Sequence, residues 1–437
     1  MAMVVKNNMS AISTLNTLNK NSSALAKSLQ KVSSGMKINS AADDASGYAI
    51  SERMRVQIRG LDQSNQNTQN GTSMMKVAEG AVSSTVDILK TLKEKVINAA
   101  NDTNTDADRQ TIQKELDQSI DQIDDNANVT YNGKYLVDGS KNTIGTATFT
   151  ALTNQSLSTA TASNSKLTEL KSRSGDDLEI ADTDKVTVSY VKGGKTFTTV
   201  FSAKDATIDT ILTNANKAGG GTAFSATINT GSAVGTATSE AVTYTASGAS
   251  AITFTANSAG VTDQVSALTI SITDKDGNVK KSANASLDAF TETVRAQNKS
   301  EDNAITLQVG TKANQSIKVG LTDMRSEALG LKGSDGTKLN ISTQAKANAA
   351  INVLDNAVQK ALDQQTTIGS VESRLSYTSS NLTTASENVQ SSESTIRDAD
   401  MAKEMTEYTK NNVLLQAAQS MLAQANQNSS SVLSLLQ

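Results

Sequence analysis

Each end of this chain carries an apolar stripe that steps by three and four residues. At the N-terminal end, Leu15, Leu18, Ser22, Leu25, Leu29, Val32 and Met36 form a seam of about three heptads, apolar except at Ser22. At the C-terminal end, Leu414, Ala418, Met421, Ala425, Asn428, Val432 and Leu435 repeat the step, with Asn428 the polar member. Helical stripes of this kind must be covered to be stable. Two of them on one chain can bury themselves on each other, and a polar residue in each can fix the register at some cost in stability. Gly35, within Ser33-Ser34-Gly35, marks a kink or stop of the first arm.

Inward of the arms, the periodicity stays helical. Residues 45 to about 101 read as one long helix or two collinear ones, with seams at Met54, Ile58 and Leu61 and at Met75, Val82, Val86, Leu89 and Val96. Between these seams the run 62–70 is polar all round. Propensity alone makes it a loop, but with no proline a helix can continue through it if neighbours support it. Ile112, Leu116, Ile120 and Ile123 form a further stripe. Residues 347 to about 397 predict a long helix whose stripe begins at Ile351, Leu354, Val358 and Leu362 and continues at Leu375, Leu382 and Val389.

The middle of the chain changes character. Residues 141–300 are rich in Thr, Ser, Ala and Gly and hold every Phe. Segments 186–191 and 196–201 flank Lys-Gly-Gly-Lys and read as a β-hairpin. Segments 251–255 and 268–272 are further strands, 305–309 and 316–319 a second hairpin, and 205–218 a short helix. The fold class is therefore mainly α with a β insert: a coiled-coil-like helical rod made by both chain ends, carrying a variable β-rich outer domain.

Composition removes most chemistry. The 437 residues contain no His, Cys, Pro or Trp. Zinc sites of the usual ligands, thiol catalysis, disulfides and a Ser-His-Asp triad are excluded. The net charge of -4 argues against a nucleic-acid partner. No apolar run approaches a membrane span, and the first residues lack the core of a cleavable signal peptide. Asp274-Lys-Asp-Gly-Asn278 does not match a calcium loop and reads as an Asp-Gly turn. Gly219-Gly-Gly221 lacks the Lys-Ser/Thr of a phosphate loop. The adjacent pairs Asp43-Asp44 and Asp124-Asp125 diverge rather than converge and read as caps or solvated faces. No catalytic residue, cofactor or metal site is expected.

Read together, the ends resemble bacterial flagellins. The resemblance lies in Val32-Ser-Ser-Gly-Met-Lys-Ile-Asn-Ser-Ala-Ala-Asp-Asp-Ala-Ser-Gly47, Ala49-Ile-Ser-Glu-Arg-Met54 and Gln57-Ile-Arg-Gly-Leu61. It continues in Ile396-Arg-Asp-Ala-Asp-Met-Ala-Lys-Glu-Met405, Ala423-Gln-Ala-Asn426 and Val432-Leu-Ser-Leu-Leu-Gln437. With residues 62–135 and 301–395 it covers well over half of the chain, and the middle adds nothing to it. The resemblance implies five segments. Residues 1–42 and 396–437 are the two arms of an inner core domain. Residues 43–140 and 301–395 are the two parts of a helical rod domain, and 141–300 is the surface-exposed insert. It implies a structural subunit that polymerises into the flagellar filament for motility, with Leu15, Leu18, Leu25, Leu29, Val32, Met36, Leu414, Ala418, Met421, Ala425, Val432 and Leu435 as a self-assembly seam.

The resemblance also implies export through the flagellar type III apparatus without a cleavable signal peptide, and an extracellular location. The implied partners are further copies of the chain, an export chaperone, and the filament cap and hook-junction proteins. Arms this thin are expected to order on polymerisation. A toll-like receptor is a further implied partner, through a patch at Thr91, Glu94, Lys95, Asn98, Asn101 and Glu115. Many receptor-recognised relatives carry Arg in place of Thr91 and Leu in place of Lys95, so recognition is expected to be weakened. Two alternatives are a hook–filament junction protein and a filament subunit with an adhesive or glycan-bearing outer domain. A metalloprotease-like insert would need a His-Glu-x-x-His motif, and the chain has no His.

Overall fold

A computed structural model describes residues 8–221, 223–225, 228–237 and 241–435. Helix α1 (Met9–Ser34) begins after Asn8, whose side chain accepts the Ala11 N–H at 3.0 Å. It stops at Gly35, which takes a left-handed φ of 71° and returns its N–H to the Lys31 carbonyl. Helix α2 (Ala45–Ala100) runs unbroken through the polar segment 62–70. Ser64 and Thr68 in that segment are buried, and their hydroxyls donate to the Gly60 and Ser64 carbonyls. Each hydroxyl is thus satisfied inside its own helix, which lets a polar face pack. Helix α3 (Asp106–Ala127) starts with a Thr105/Asp108 capping box.

Strands β1 (Thr130–Tyr131) and β2 (Lys134–Tyr135) form a short hairpin. The insert then supplies β3 (Ala151–Asn154), β4 (Lys185–Lys192), β5 (Lys195–Ser202), α4 (Ile208–Ala218), β6 (Ala233–Thr236), β7 (Val242–Tyr244), β8 (Ile252–Thr255), β9 (Val265–Thr273), α5 (Lys281–Leu287) and β10 (Phe290–Val294). A second hairpin, β11 (Ile305–Gln308) and β12 (Ser316–Val319), precedes α6 (Gln344–Arg397) and α7 (Met401–Leu435). No described helix is long and apolar enough to cross a membrane.

The chain divides into two compact units. One comprises residues up to Thr68, Gln308–Gln315 and the chain from Tyr377 onward. The other comprises Gln69–Leu307 and Ser316–Ser376. In the second unit Met75, Val82, Val86, Leu89 and Val96 of α2 are buried, as are Leu116, Ile120 and Ile123 of α3. The expected α6 stripe is displaced. Of its first four members only Leu354 is fully buried, while Ala350, Val353, Ala357 and Ala361 carry the rest of the packing. Small side chains let helices approach closely, so alanine serves where the periodicity points to larger residues.

The insert's two principal sheets are antiparallel three-stranded layers, in order β5-β4-β9 and β10-β3-β8. Gly193 and Gly194 both have positive φ (55° and 74°), the backbone that a two-residue hairpin turn requires. Phe197, Tyr190, Phe224, Phe254 and Phe290, in that order, run through its core with successive ring centroids 5.1–6.1 Å apart. Asp274 accepts the N–H groups of Asp276 and Asn278, so this segment is a turn after β9.

Candidate functional site

In the first unit, α1 and α7 lie antiparallel. Polar fasteners set their register: Asn8 Nδ2 donates to the Ala425 carbonyl at 3.2 Å, Asn21 Nδ2 to the Leu414 carbonyl at 3.2 Å, and Asn411 Nδ2 to Ser28 Oγ at 2.9 Å. Lys31 and Glu404 add an ion pair at 3.6 Å. Ser22 and Asn428, the expected register residues, are exposed instead.

The seam itself is offset from the expected one. Leu18, Leu25, Val32 and Ala425 are half-buried and Ala418 is buried, together with Ala11, Thr14, Asn21 and Ser28 of α1 and Leu415 and Leu422 of α7. Met36 is half-buried beyond the end of α1. Leu15, Leu29, Leu414 and Met421 turn outward, with Leu29 52% and Met421 62% exposed. The side chains of Val432 and Leu435 lie outside the described residues. The physical reason is width: a helix paired with one partner buries a single narrow stripe, and these arms have apolar residues on either side of it. Met9, Ile12, Met405 and Val413 extend the exposed apolar set.

The two turns that end α1 and α6 meet. Met36 and Asp398 form an antiparallel bridge, the Lys37 N–H donates to the Arg397 carbonyl at 2.7 Å, and the Ala399 N–H to the Gly35 carbonyl at 3.0 Å. Arg397 occupies the centre. Its guanidinium donates to Glu52 at 2.6 Å and to Ser51 at 3.3 Å, and lies 5.4 Å from the Tyr48 ring centroid. The Arg397 hydrogen bond holds the Glu52 carboxyl below its ordinary value. Asp43 accepts the N–H groups of Ser40 and Asn39, which lower its pKa, and Asp44 accepts those of Ser46 and Gly47 at the start of α2. This Asp pair therefore closes a turn and caps a helix. Asp124, of the other pair, binds the Ser326 N–H and Lys332. Further along, the first part of α2 meets the last part of α6 through Arg55–Glu393 at 3.1 Å, Ser386–Asp62 at 3.0 Å and Ser379–Asn65 at 2.7 Å.

Sequence periodicity missed Arg397 and these polar rungs, because hydrogen-bonding residues leave no apolar stripe. The one available signal was that Ile396–Met405 and Val32–Gly47 both carry the flagellin resemblance, and the two segments prove to be neighbours.

The receptor-type patch lies in the second unit, around the turn from α2 to α3. Thr91, Glu94, Asn98, Asn101 and Glu115 are exposed and Lys95 is half-buried. The Thr91 hydroxyl donates to the Asp87 carbonyl of its own helix at 3.0 Å, and Lys95 pairs with Glu115 at 3.1 Å. Asn98 accepts from Asn104 Nδ2 at 2.8 Å, and Asn101 from the Thr103 N–H.

Comparison with known proteins matches residues 5–142 to the bacterial flagellin N-terminal helical region and residues 351–436 to the bacterial flagellin C-terminal helical region. A flagellin of Clostridium tyrobutyricum is 34% identical over 431 residues, spanning 97% of this chain and 99% of that protein. A flagellin of Bacillus subtilis (strain 168) is 29% identical over 454 residues, spanning 99% and 100% respectively. Among solved structures, the flagellar hook associated protein-3 of Legionella pneumophila is 14% identical with a TM-score of 0.33, covering 78% of this chain and 97% of that one. So loose a superposition carries no functional argument.

Proposed function

Since the chain belongs to the bacterial flagellin family, whose members build the extracellular flagellar filament, we propose which of its own residues perform the assembly. The chain is a structural subunit of that filament. The assembly surface is the outward apolar edge of the α1/α7 pair: Leu15 and Leu29 on one helix, Leu414 and Met421 on the other. The observation that carries this reading is that their own partner helix leaves them in water. Surfaces of that kind on a subunit without closed symmetry are covered by the next copies, which builds an open helical polymer. Leu18, Leu25, Val32, Ala418 and Ala425 hold the pair together, and Met36 closes the turn after α1. The arms gain their full order as neighbours cover them.

Removing residues 428–437 takes away Val432 and Leu435, the last apolar positions of the C-terminal stripe in the sequence. Seeded growth, followed by light scattering and electron microscopy, is expected to fail in the truncated chain. Growth as ready as that of the full chain overturns the assignment.

Export by the flagellar type III apparatus, a chaperone that covers the arms before assembly, and the cap and junction proteins at the filament's two ends follow from the same reading. Recognition by a toll-like receptor is weak, because Thr91 offers no multidentate donor and Lys95 is engaged by Glu115. A receptor reporter assay is expected to show a low response, rising when Thr91→Arg and Lys95→Leu are combined. Full potency of the unmodified protein contradicts this.

A further inference from the structure

Assembly at the arms leaves one buried cation of the second unit unexplained. Lys360 of α6 is 8% exposed, and its ammonium donates a single hydrogen bond, to the Ala328 carbonyl at 2.7 Å. An ammonium has three N–H donors, and a buried charge is ordinarily paired. Among the described residues no carboxylate lies within 4.0 Å of this nitrogen. Glu292 and Asp323 attract it from farther away, and each already faces an arginine. Glu292 Oε2 lies 3.6 Å from Arg295 Nε, and Asp323 Oδ2 2.6 Å from Arg325 Nη2. Burial lowers the pKa of Lys360, the response of a cation without a close counter-charge.

Lys360 borders a polar cavity of about 110 Å³. The other walls are Gly139 and Asn142, where the chain enters the insert, the run 296–300, where it leaves, and the turn around Arg325 that precedes α6. Lys299, Arg325 and Lys360 are the cations of this wall, and among the described residues Asp323 is its one carboxylate. Gln364 lies one turn along the same face of α6. Its Oε1 accepts the N–H and the hydroxyl of Thr322, a wall residue, at 3.2 and 2.7 Å, while its buried Nε2 has no partner. The unmet groups on this helix face are therefore donors. Donors beside an excess of positive charge are satisfied best by an anionic oxygen.

We propose that this cavity binds one small oxyanion, a phosphate or a carboxylate, on the Lys360 ammonium with Arg325 and Lys299 at its mouth. The volume equals three or four waters at about 30 Å³ each, which admits one such ion. It falls well short of the roughly 300 Å³ at which sites for larger ligands begin. The bound ion ties both connections of the insert to α6. The site is remote in sequence from the arms, and its test does not bear on the assembly edge.

Unassembled full-length protein is titrated calorimetrically with inorganic phosphate and, separately, with acetate, at constant ionic strength made up with chloride. Saturable binding of one ion per chain is expected, and the tighter of the two names the class. Lys360→Met keeps the stem and removes the ammonium, and is expected to weaken binding by about tenfold or more. Arg325 is half-exposed, so Arg325→Met leaves the fold intact and is expected to weaken binding about threefold. Lys166→Met makes the same charge change at an exposed site of the insert and is expected to change nothing. If Lys360→Met fails to fold, the contrast between Arg325→Met and Lys166→Met decides. No saturable binding of either ion, a folded Lys360→Met protein that binds normally, or equal losses in Arg325→Met and Lys166→Met overturns the proposal and leaves the cavity to water.

Discussion

A chain carrying Leu414→Asp and Met421→Asp is expected to remain folded as a monomer and to lose filament growth. Both positions are on the outward side of α7, 42% and 62% exposed, so charges there stay hydrated in the free subunit. Monomer stability should change by less than about 0.5 kcal/mol per site, as for surface substitutions generally. In a polymer the same side chains would be desolvated against a neighbour, where an unpaired carboxylate is costly. The concentration of subunit needed for growth is therefore expected to rise by about 100-fold or more. The paired control is Leu415→Asp with Leu422→Asp, on the side facing α1. That protein should lose the partial helicity that the paired arms keep in the monomer, measured by circular dichroism. If the outward pair polymerises normally, the assembly edge lies elsewhere.

Arg397→Ala is the second large effect. The guanidinium is buried between Glu52, Ser51 and Tyr48, and it stands where the turn after α1 bridges the turn before α7. Its loss removes a charge-assisted hydrogen bond, a cation–π contact and the packing of the stem at once. Backbone amides of Lys37 and Ala399, which bond across the junction, are expected to exchange roughly 10- to 100-fold faster. Arg397→Lys should recover only part of this, because an ammonium keeps the charge but not the planar fork. The pH dependence has a definite sign. Glu52 is held below its ordinary value by Arg397, so the pair's contribution is present above the unfolded carboxyl range and fades as pH falls through the lowered folded value. The alanine variant should lose that acid-side slope. Unchanged exchange at both amides would show that the turns hold together without the arginine.

Much of the architecture was legible because helices and strands leave a period. The seams at Met75–Val96 and Leu116–Ile123 and the Gly-Gly hairpin are local patterns, and each local pattern agreed with its tertiary setting. The receptor-type patch is an expectation that only the family resemblance supplies, since exposed polar positions have no period of their own. Two features were left open by the period, in opposite directions. Segment 62–70 has no apolar face, yet it is helical because Asp62 and Asn65 are bonded by serines more than 300 residues away. Leu15, Leu29, Leu414 and Met421 do have the period, yet they are not in the intramolecular seam, because a stripe on one helix does not specify how many partners will cover it.

By itself, then, the sequence determined that both ends are amphipathic helices, that the middle is β, and that His and Cys chemistry is absent, all consequences of side-chain type and spacing along the chain. Only the tertiary structure decided which apolar residues are buried within the subunit and which stay exposed, and that Arg397 joins the two ends. It also placed Glu292 where burial pushes its carboxyl up to about 7 against the pull of Lys360 and Arg295. These outcomes depend on desolvation and on contacts between residues distant in the chain, and neither is a property of local spacing.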